Sequence, residues 1–510
     1  MTRKSLIFGL ALVLMATSCP DASAGRKNNI EINLFGTAKI TSVVISDMSG
    51  AVAPGTEVIY NCESETQLSE TSPLHFTVAL PSGFSGKKFA VKAFDKEHNA
   101  VGFYTVEKAP RGAVNVTLPD NGEYAEVARR GYYKDIFQNA GCYLTSYLTL
   151  PAATFLGLEY ETMGTMYESC DKRHEADSAY QHAIICGTDY DNNGVLLYPD
   201  GEPRYRMVYM NGGRATKHGR TLTEEGREHF RTFIANGGSY LGSCAGAYIS
   251  STGTTNAIPN YLQLIPVRVK GTGYLNGETG MFIAEGSPLL RYCDFGRDMY
   301  VDSVHHEGGC YLPDENVIKD IKILARYDKP DLNLHNHISV WAYKPDEVCG
   351  RVVACGSHPE QVKDGERRDF MAAMIQYALD GNGTVSVKAT LENGTQNEAV
   401  IGDKQYHHYK LVIPEGARNI KVTLDGTAGH NLEIALRKDE FAWRSEASYI
   451  QSREGSDKVL SFKNLEPGVW YVSVYCPDTV SVDYGYQKFE YSGDTSVLNG
   501  VPYTIKASWK

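Results

Sequence analysis

Short runs of alternating apolar and polar residues fill the chain between residues 29 and 122. Three of these runs are residues 30–34, 40–45 and 89–94, and turn residues such as Pro81-Ser82-Gly83 lie between them. Alternation with a period of two is typical of strands that bury one face. The pattern therefore predicts a small antiparallel β-sandwich that is immunoglobulin-like in architecture.

The pattern changes between residues 131 and 381, where apolar strand-like runs alternate with segments of helical periodicity. Residues 206–210 and 352–356 are predicted to be buried strands. One helix is predicted to begin at Thr223, as its capping residue, and to stop before Gly237; another is predicted over residues 368–379. This order of elements is typical of an α/β domain whose parallel sheet is covered on both faces.

Strand-type alternation returns after the turn-rich residues 380–384 and continues to the C-terminus. It predicts a second β-sandwich over residues 385–510. A chain of 510 residues, 42% of them hydrophobic, exceeds what a single core usually holds. We therefore predict a multidomain protein with an N-terminal β-sandwich, a central α/β domain and a C-terminal β-sandwich.

Residues 1–24 have the order of a secretory signal, because two basic residues precede an apolar run at 6–15 that is too short to span a membrane. Two cleavage sites compete, one directly before Cys19 and one after Ala24. The first resembles the cleavage box of bacterial lipoproteins, which implies a lipid on Cys19 and membrane attachment. We expect an exported protein, either a lipoprotein of the cell envelope or surface or, with the second site, a secreted or periplasmic protein.

The net charge of the chain and the spacing of its histidines argue against two classes of ligand, nucleic acid and metal ions. A net charge of -11 and a pI near 5.7, without a long basic run, argue against nucleic acid as a partner. The pairs His305-His306 and His335-Asn336-His337 lack an acidic or cysteine partner at a recognisable spacing. No metal site and no cofactor are therefore predicted.

The 11 cysteines include no Cys-x-x-Cys pair, which argues against zinc knuckles and thioredoxin-like sites. Export permits disulfides, and Cys349 could pair with Cys355, or Cys142 with Cys170. The spacing alone does not decide between these pairs and buried free thiols.

One cysteine, Cys244, stands in a glycine-rich turn between a predicted strand and a predicted helix. A nucleophile on such a turn is held in a strained backbone conformation, and small neighbours at Gly242 and Gly246 let the strand and the helix pack closely. The unpaired N–H groups at the start of the helix favour a thiolate. The pattern indicates a nucleophile elbow, and its alternative is a turn around a buried structural cysteine.

The tripeptide His358-Pro359-Glu360 follows the predicted strand at 352–356. Pro359 favours an extended backbone at His358, and residues two apart on an extended chain project to one side. Glu360 could then hold one imidazole nitrogen while the other reaches the thiol of Cys244. The order of these residues predicts a triad of Cys244, His358 and Glu360.

The central domain resembles class I glutamine amidotransferases, and most closely the amidotransferase-like domain at the N-terminus of some biotin–protein ligases. The matching segments are residues 210–214, 238–248, 306–311, 323–327 and 356–360. The resemblance implies a flavodoxin-like fold with a Cys-His-Glu triad. It also implies an oxyanion hole formed by the backbone N–H groups of Gly213 and Ala245.

Three further residues are expected to line a substrate pocket at this turn: Gly212, Arg214 and Glu307. The guanidinium of Arg214 could bind a substrate carboxylate with two hydrogen bonds, and the alternative is a solvated side chain. Glu307 and the two glycines that follow it are expected opposite the turn.

The C-terminal region resembles the bacterial pre-peptidase C-terminal module, a β-sandwich found on secreted hydrolases. The matching segments are residues 406–417, 432–437 and 465–474. We expect an exported cysteine hydrolase that acts on a γ-glutamyl or peptidyl amide of a small molecule or peptide. The alternative is a non-catalytic surface lipoprotein or binding protein, in which the central domain is a scaffold and the β-sandwiches contact glycan or protein.

Overall fold

The computed structural model describes the chain in segments. They are residues 29–47, 57–80, 84, 89–96, 100–106, 112–118, 129–139, 149–163, 182–273, 275–293, 295, 298–330, 334–360, 362–485 and 488–510. The predicted signal, its lipidation residue Cys19, and the pair of Cys142 with Cys170 lie outside the described residues. Within these segments, no helix combines the length and the apolar character that a membrane crossing requires.

The N-terminal part forms two sheets, with strand orders β4-β1-β7 and β3-β2-β5-β6. The strands are β1 (Asn29–Phe35), β2 (Lys39–Asp47), β3 (Glu57–Gln67), β4 (Leu74–Ala79), β5 (Phe89–Phe94), β6 (Ala100–Val106) and β7 (Val114–Thr117). Apolar residues of both sheets, among them Ile32, Val43 and Phe89, share one core. The pairing of β1 with β7 is parallel, so the sandwich is not wholly antiparallel as the sequence predicted.

The described residues of the central domain build a nine-stranded sheet with the order β14-β13-β16-β17-β18-β11-β10-β8-β9. The strands are β8 (Lys134–Asn139), β9 (Tyr160–Met163), β10 (Tyr205–Met210), β11 (Ser239–Ser243), β13 (Asn276–Ile283), β14 (Tyr300–Glu307), β16 (Ile321–Asp328), β17 (Ile338–Tyr343) and β18 (Val352–Cys355). The five strands from β18 to β9 are parallel, and β17, β16, β13 and β14 are antiparallel to their neighbours. The predicted parallel sheet is therefore only half of the observed one. A separate ribbon joins β12 (Lys270–Gly271) to β15 (Cys310–Tyr311).

Helices cover both faces of this sheet. They are α1 (Pro151–Phe155), α2 (Ala215–Thr221), α3 (Thr223–Ala235), α4 (Ala245–Ser250) and α5 (Gly365–Leu379). Helices α2, α3 and α4 contribute to the hydrophobic core on one face, and α1 and α5 contribute to the core on the other. The cap of α3 is Leu222 and not Thr223, which is already helical and whose hydroxyl lies 3.2 Å from Nδ1 of His182.

The C-terminal part is a second β-sandwich, with sheet orders β19-β21-β26-β23-β24 and β20-β29-β22-β25 and a hairpin of β27 and β28. The strands are β19 (Ala389–Thr390), β20 (Gln396–Ile401), β21 (Tyr406–Ile413), β22 (Ile420–Gly426), β23 (Glu433–Lys438), β24 (Tyr449–Gln451), β25 (Lys458–Phe462), β26 (Gly468–Tyr475), β27 (Ser481–Gly485), β28 (Lys488–Ser492) and β29 (Val501–Ser508). Leu411, Val472 and Ile505 lie in its core.

Polar contacts join the central domain to the C-terminal sandwich. Arg204 and Asp403 form an ion pair of 2.7 Å, and both side chains are almost completely buried. The turn-rich linker is also held, because the N–H of Gly383 donates to the carbonyl of Gly237 at 2.8 Å. These bonds fix the start of the C-terminal sandwich against the edge of the α/β domain.

Candidate active site

Cys244 occupies the turn between β11 and α4, with φ 48° and ψ -105°. Positive φ is uncommon for a residue with a Cβ and costs on the order of 1–3 kcal/mol when the surroundings impose it. The N–H of Cys244 donates to the carbonyl of Cys355 at 2.8 Å, which ties the turn to the end of β18. The backbone of Cys244 is therefore strained, and the hydrogen bond to Cys355 keeps it in this conformation.

The glycines on either side make this turn possible. A Cβ on Gly246 would lie 2.0 Å from the carbonyl oxygen of Met210, and a Cβ on Gly242 would lie 2.5 Å from the backbone of Gly246. Real Cβ atoms do not approach backbone atoms so closely. Strand β11, helix α4 and the end of β10 thus pack at a distance that only glycine permits.

His358 follows β18, and its Nδ1 lies 2.9 Å from Oε1 of Glu360. The two side chains are only 8% and 2% exposed. Burial disfavours the imidazolium, but the charge of Glu360 and the neighbouring thiol of Cys244 outweigh it and raise the pKa of His358 to about 11. The predicted orientation of the base by Glu360 is therefore present.

The thiol of Cys244 donates to the carbonyl of Glu307 at 3.5 Å. The Nε2 atom of His358 is buried and has no hydrogen-bond partner among the described residues, and the thiol lies close enough to contribute to the raised pKa of the imidazole. Cys244 itself is only 5% exposed. The structure thus brings the three residues of the predicted triad together, with the thiol covered and Nε2 of His358 hydrogen-bonded to no described residue.

The turn after β10 lies against this imidazole. A Cβ on Gly212 would lie 2.2 Å from Cε1 of His358, so the absent side chain leaves space for the ring. Gly213 follows with φ 126°, and the exposed Arg214 is the cap of α2. Ala245 is the first residue of α4, where a backbone N–H has no acceptor within its own helix. The predicted oxyanion-hole residues Gly213 and Ala245 and the predicted substrate residues Gly212 and Arg214 therefore lie on the turns after β10 and β11.

The last residue of β14 and the two residues after it cover the thiol. The hydroxyl of Tyr248 donates to the carbonyl of Gly309 at 2.9 Å, and the N–H of His358 donates to the carbonyl of His305 at 2.8 Å. The side chain of Glu307 is exposed and lies 4.0 Å from Nε2 of His305. Glu307 therefore presents its main-chain carbonyl, and not its carboxylate, to Cys244. We call residues 307–309 the covering segment.

A second buried histidine supports the site without belonging to the triad. Nδ1 of His306 lies 2.8 Å from the hydroxyl of Ser357, and Nε2 lies 2.7 Å from the hydroxyl of Thr272. Burial, followed by the neighbouring His358, lowers the pKa of His306 to about 4. His306 is therefore neutral near pH 7. Residue types alone do not indicate this chain of hydrogen bonds, because its members come from three separate segments.

Two groups of potential metal ligands occur within the described parts of the chain, and neither includes a triad residue. One group is His182, Cys186 and Glu225; the other is Asp200, Glu202 and His407. The ammonium of Lys388 lies 2.6 Å from a carboxylate oxygen of both Asp200 and Glu202, where a cation would otherwise sit.

Family comparisons match one segment of the central domain and one segment of the C-terminal sandwich. The model described as "Biotin-protein ligase, N terminal" matches residues 195–264, and the model described as "Bacterial pre-peptidase C-terminal domain" matches residues 405–475. Both resemblances are confirmed. The central domain is amidotransferase-like, and its match includes Gly212, Cys244 and Ala245. It ends before Glu307, His358 and Glu360.

The individual proteins to which the chain is similar are distant in sequence. An "Uncharacterized protein" of Chlamydia muridarum is 26% identical over 215 residues, which are 39% of this chain and 79% of that protein. A solved glutamine amidotransferase is 16% identical, with 41% of this chain and 92% of that chain covered and a TM-score of 0.26. The pre-peptidase C-terminal domain of a collagenase from Bacillus anthracis is also 16% identical, with 25% and 100% covered and a TM-score of 0.18.

Proposed function

We propose that the amidotransferase-like domain is a cysteine hydrolase that cleaves a γ-glutamyl or peptidyl amide. The observation that carries this proposal is the juxtaposition of the strained Cys244 turn with the buried pair of His358 and Glu360. A backbone conformation that costs energy and a buried ion pair are both features that cluster at functional sites. A structural cysteine needs neither of them.

In the proposed reaction, Cys244 reacts as a thiolate beside the imidazolium of His358, whose Nε2 holds the proton that the thiol gave up, and the thiolate attacks the amide carbonyl carbon. The carbonyl oxygen becomes an oxyanion that the N–H groups of Gly213 and Ala245 bind, each contributing on the order of 3 kcal/mol. His358 then donates its proton to the nitrogen as the C–N bond breaks, and the amine leaves. Glu360 keeps the ring oriented throughout.

The acyl group is then bound to Cys244 as a thioester. A water molecule gives a proton to His358 and attacks the thioester carbon, which releases a carboxylic acid and restores the thiol after the proton returns to sulfur. These reaction steps need no oxidant and no cofactor. It does need access to the thiol, so the covering segment must move away before the substrate carbonyl can approach Cys244.

We propose further that the enzyme works outside the cytoplasm. The match to a pre-peptidase C-terminal domain and the signal-like order of residues 1–24 support export, and Cys19 is the proposed site of lipid attachment. The substrate would then be an amide of the cell envelope or its surroundings.

A second candidate is a surface protein in which the amidotransferase-like domain is a scaffold without turnover. The burial of Cys244 and its hydrogen bond to the carbonyl of Glu307 favour this alternative, because a thiol that is covered reacts slowly. Under it the β-sandwiches would carry the function.

Hydrolysis of two chromogenic amides tests the enzymatic proposal. γ-Glutamyl-p-nitroanilide and a peptidyl p-nitroanilide are incubated with wild type, Cys244→Ala and Arg214→Gln, and mass spectrometry is used to look for a thioester on the Cys244 peptide. We expect wild type to release p-nitroaniline and Cys244→Ala to release none. If Arg214→Gln raises the KM for the γ-glutamyl substrate but not for the peptidyl substrate, then Arg214 binds the carboxylate of the γ-glutamyl group. Release that persists in Cys244→Ala, or no release and no thioester with either substrate, would contradict the proposal.

A further inference from the structure

A cavity of 80 Å³ lies where the C-terminal sandwich meets the central domain, far along the fold from the Cys244 turn. Its walls come from the start of the central domain, from the linker and from the C-terminal sandwich. The residues that matter for its chemistry are Arg130, Tyr132, Glu202, Tyr406, His408 and Trp443. A neighbouring groove of 330 Å³ shares Arg130, Tyr132 and Trp443 with it, so the two form one depression that we call the junction cavity.

Aromatic rings in fixed orientations form one wall of the junction cavity. The ring of Trp443 meets Tyr406 edge-on at 4.9 Å between centroids, and it meets His408 edge-on at 4.7 Å. Phe441 stacks on the other side of His408 at 4.1 Å. A Cβ on Gly131 would already lie 3.6 Å from the Trp443 ring. This packing holds the indole in place while part of its surface stays exposed.

The same wall holds an imidazole nitrogen without a partner. Nδ1 of His408 lies 2.7 Å from the hydroxyl of Ser473, but Nε2 has no hydrogen-bond partner among the described residues, although the residue is only 1% exposed. Burial, followed by the charge on His407, lowers the pKa of His408 to about 3, so the ring is neutral near pH 7. A buried polar atom without a partner is unfavourable, and a ligand hydroxyl in the cavity would satisfy it.

The charged residues of the junction cavity are already paired within the protein. Arg130 forms an ion pair with Glu446, and Glu202 lies 2.6 Å from the ammonium of Lys388. In the groove, Arg206 forms an ion pair of 3.0 Å with Asp135, and Asp380 accepts a hydrogen bond from the hydroxyl of Tyr292 at 2.5 Å. Binding a charged ligand would compete with these pairs. The cavity therefore offers an aromatic surface and a neutral hydrogen-bonding nitrogen, which suit an uncharged ligand with one apolar face and several hydroxyl groups.

We infer that the junction cavity binds a neutral pyranose sugar, with an apolar face of the ring packed on Trp443 and a hydroxyl hydrogen-bonded to Nε2 of His408. Sites at domain junctions that combine aromatic rings with few polar groups are typical of small-molecule binding. The inference does not depend on the chemistry of Cys244. A free sugar and the terminal residue of a glycan chain present the same ring, and methyl glycosides distinguish them.

Ligand-observed saturation-transfer NMR on the full chain tests this site. Glucose, galactose, mannose, N-acetylglucosamine and their methyl glycosides are titrated into wild type, Trp443→Ala and His408→Phe. We expect saturable binding of at least one sugar, weakened about tenfold or more by each substitution, because a buried aromatic anchor and its polar partner dominate such sites. The His408→Phe variant retains a ring that can stack on Phe441 and loses only the nitrogens. A methyl glycoside that binds as well as the free sugar indicates the end of a glycan chain.

Tyr449→Ala is the matched control, because Tyr449 is an exposed aromatic residue of β24 in the same sandwich and does not line the cavity. It should leave sugar binding unchanged. Trp443→Phe replaces Trp443→Ala if circular dichroism shows that the alanine variant is unfolded. The inference is overturned if no sugar of the panel binds saturably, if the Trp443 variant binds as tightly as wild type, or if acetate binds in place of the sugars.

Discussion

Cys244, His358 and Glu360 come from two turns that are more than a hundred residues apart in the sequence, and the structure places them side by side. Their proximity could be predicted, because glycines at 242 and 246 mark a tight turn and Pro359 favours an extended backbone. The hydrogen bond between Cys244 and the carbonyl of Glu307 could not be predicted, because a main-chain acceptor leaves no residue-type signal. The sequence therefore predicts which side chains meet, but not the main-chain contact that covers the thiol.

Gly212 is expected to be essential for the position of the base. Gly212→Ala places a Cβ 2.2 Å from Cε1 of His358, so the ring must shift by an ångström or so. A displacement of that size typically costs about a hundredfold in rate. Hydrolysis of a chromogenic amide and alkylation of Cys244 would both report it. Gly416→Ala is the control. A Cβ there meets no atom within 4 Å, and the strain that φ 80° imposes on alanine stays within a turn of the C-terminal sandwich, so both rates should be unchanged.

His358 is expected to hold its proton far above neutral pH. Its folded-state pKa, about 11, lies above its ordinary value of about 6.5, so the proton stabilises the folded state. That contribution is fully present below about pH 6.5 and is lost as the pH rises toward about 11. An NMR titration of the imidazole should show it protonated at pH 8, and Glu360→Gln should lower its pKa. A wild-type ring that titrates near its ordinary value would refute this account of the pair.

At the scale of elements, the regular parts of the central domain were the easiest to predict. Strand β10 is a short run of buried residues and helix α5 is buried along most of its length, and both lie within a few residues of their predicted positions. The antiparallel half of the sheet was not predicted. Strand β13 pairs with both β14 and β16, and the sequences of these strands do not indicate which strands are partners. The covering segment begins at the last residue of β14, and its place opposite the Cys244 turn was expected from the sequence, but its contact with the thiol through a main-chain carbonyl was not.

The covering segment is expected to limit access to Cys244. Tyr248→Phe removes the hydroxyl that donates to the carbonyl of Gly309 at 2.9 Å, and a hydrogen bond of this kind contributes about 1 kcal/mol. Opening should become about fivefold more frequent, and iodoacetamide should alkylate Cys244 faster by a similar factor. Tyr261→Phe, in the same hydrophobic core, should not change the rate. An unchanged rate in Tyr248→Phe would show that another motion exposes the thiol.

At the scale of the whole molecule, the three-part division was visible in the sequence, whereas the contacts between the parts were not. Where the C-terminal sandwich meets the central domain, Arg204 pairs with Asp403, and Lys388 pairs with Asp200 and Glu202. In the sequence these three acidic residues look like ordinary turn residues. Such pairs join residues about two hundred positions apart, and residue type alone does not indicate them. The predicted domain limits at residues 381 and 385 stay predictions.

The buried pair of Arg204 and Asp403 is expected to stabilise this junction. Asp403→Ala leaves a buried guanidinium without its carboxylate, which typically costs about 3–5 kcal/mol. Urea denaturation should show this loss. Arg130→Ala breaks a half-exposed pair with Glu446 at the same junction and should cost at most about 1 kcal/mol. Equal losses in the two variants would mean that burial of the ion pair is not what stabilises the junction.

The reactivity of Cys244 tests the central claim most directly. Wild type, His358→Ala and Glu360→Gln are treated briefly with iodoacetamide near pH 7, and mass spectrometry ranks all free thiols within each sample. The buried Cys293, Cys310, Cys355 and Cys476 are internal references for unactivated thiols, and the half-buried Cys349 controls for access. A catalytic Cys244 should be the fastest of them despite its burial, and loss of His358 should slow it about tenfold or more without affecting Cys349. A Cys244 that is no faster than the reference cysteines and indifferent to His358 would contradict the account.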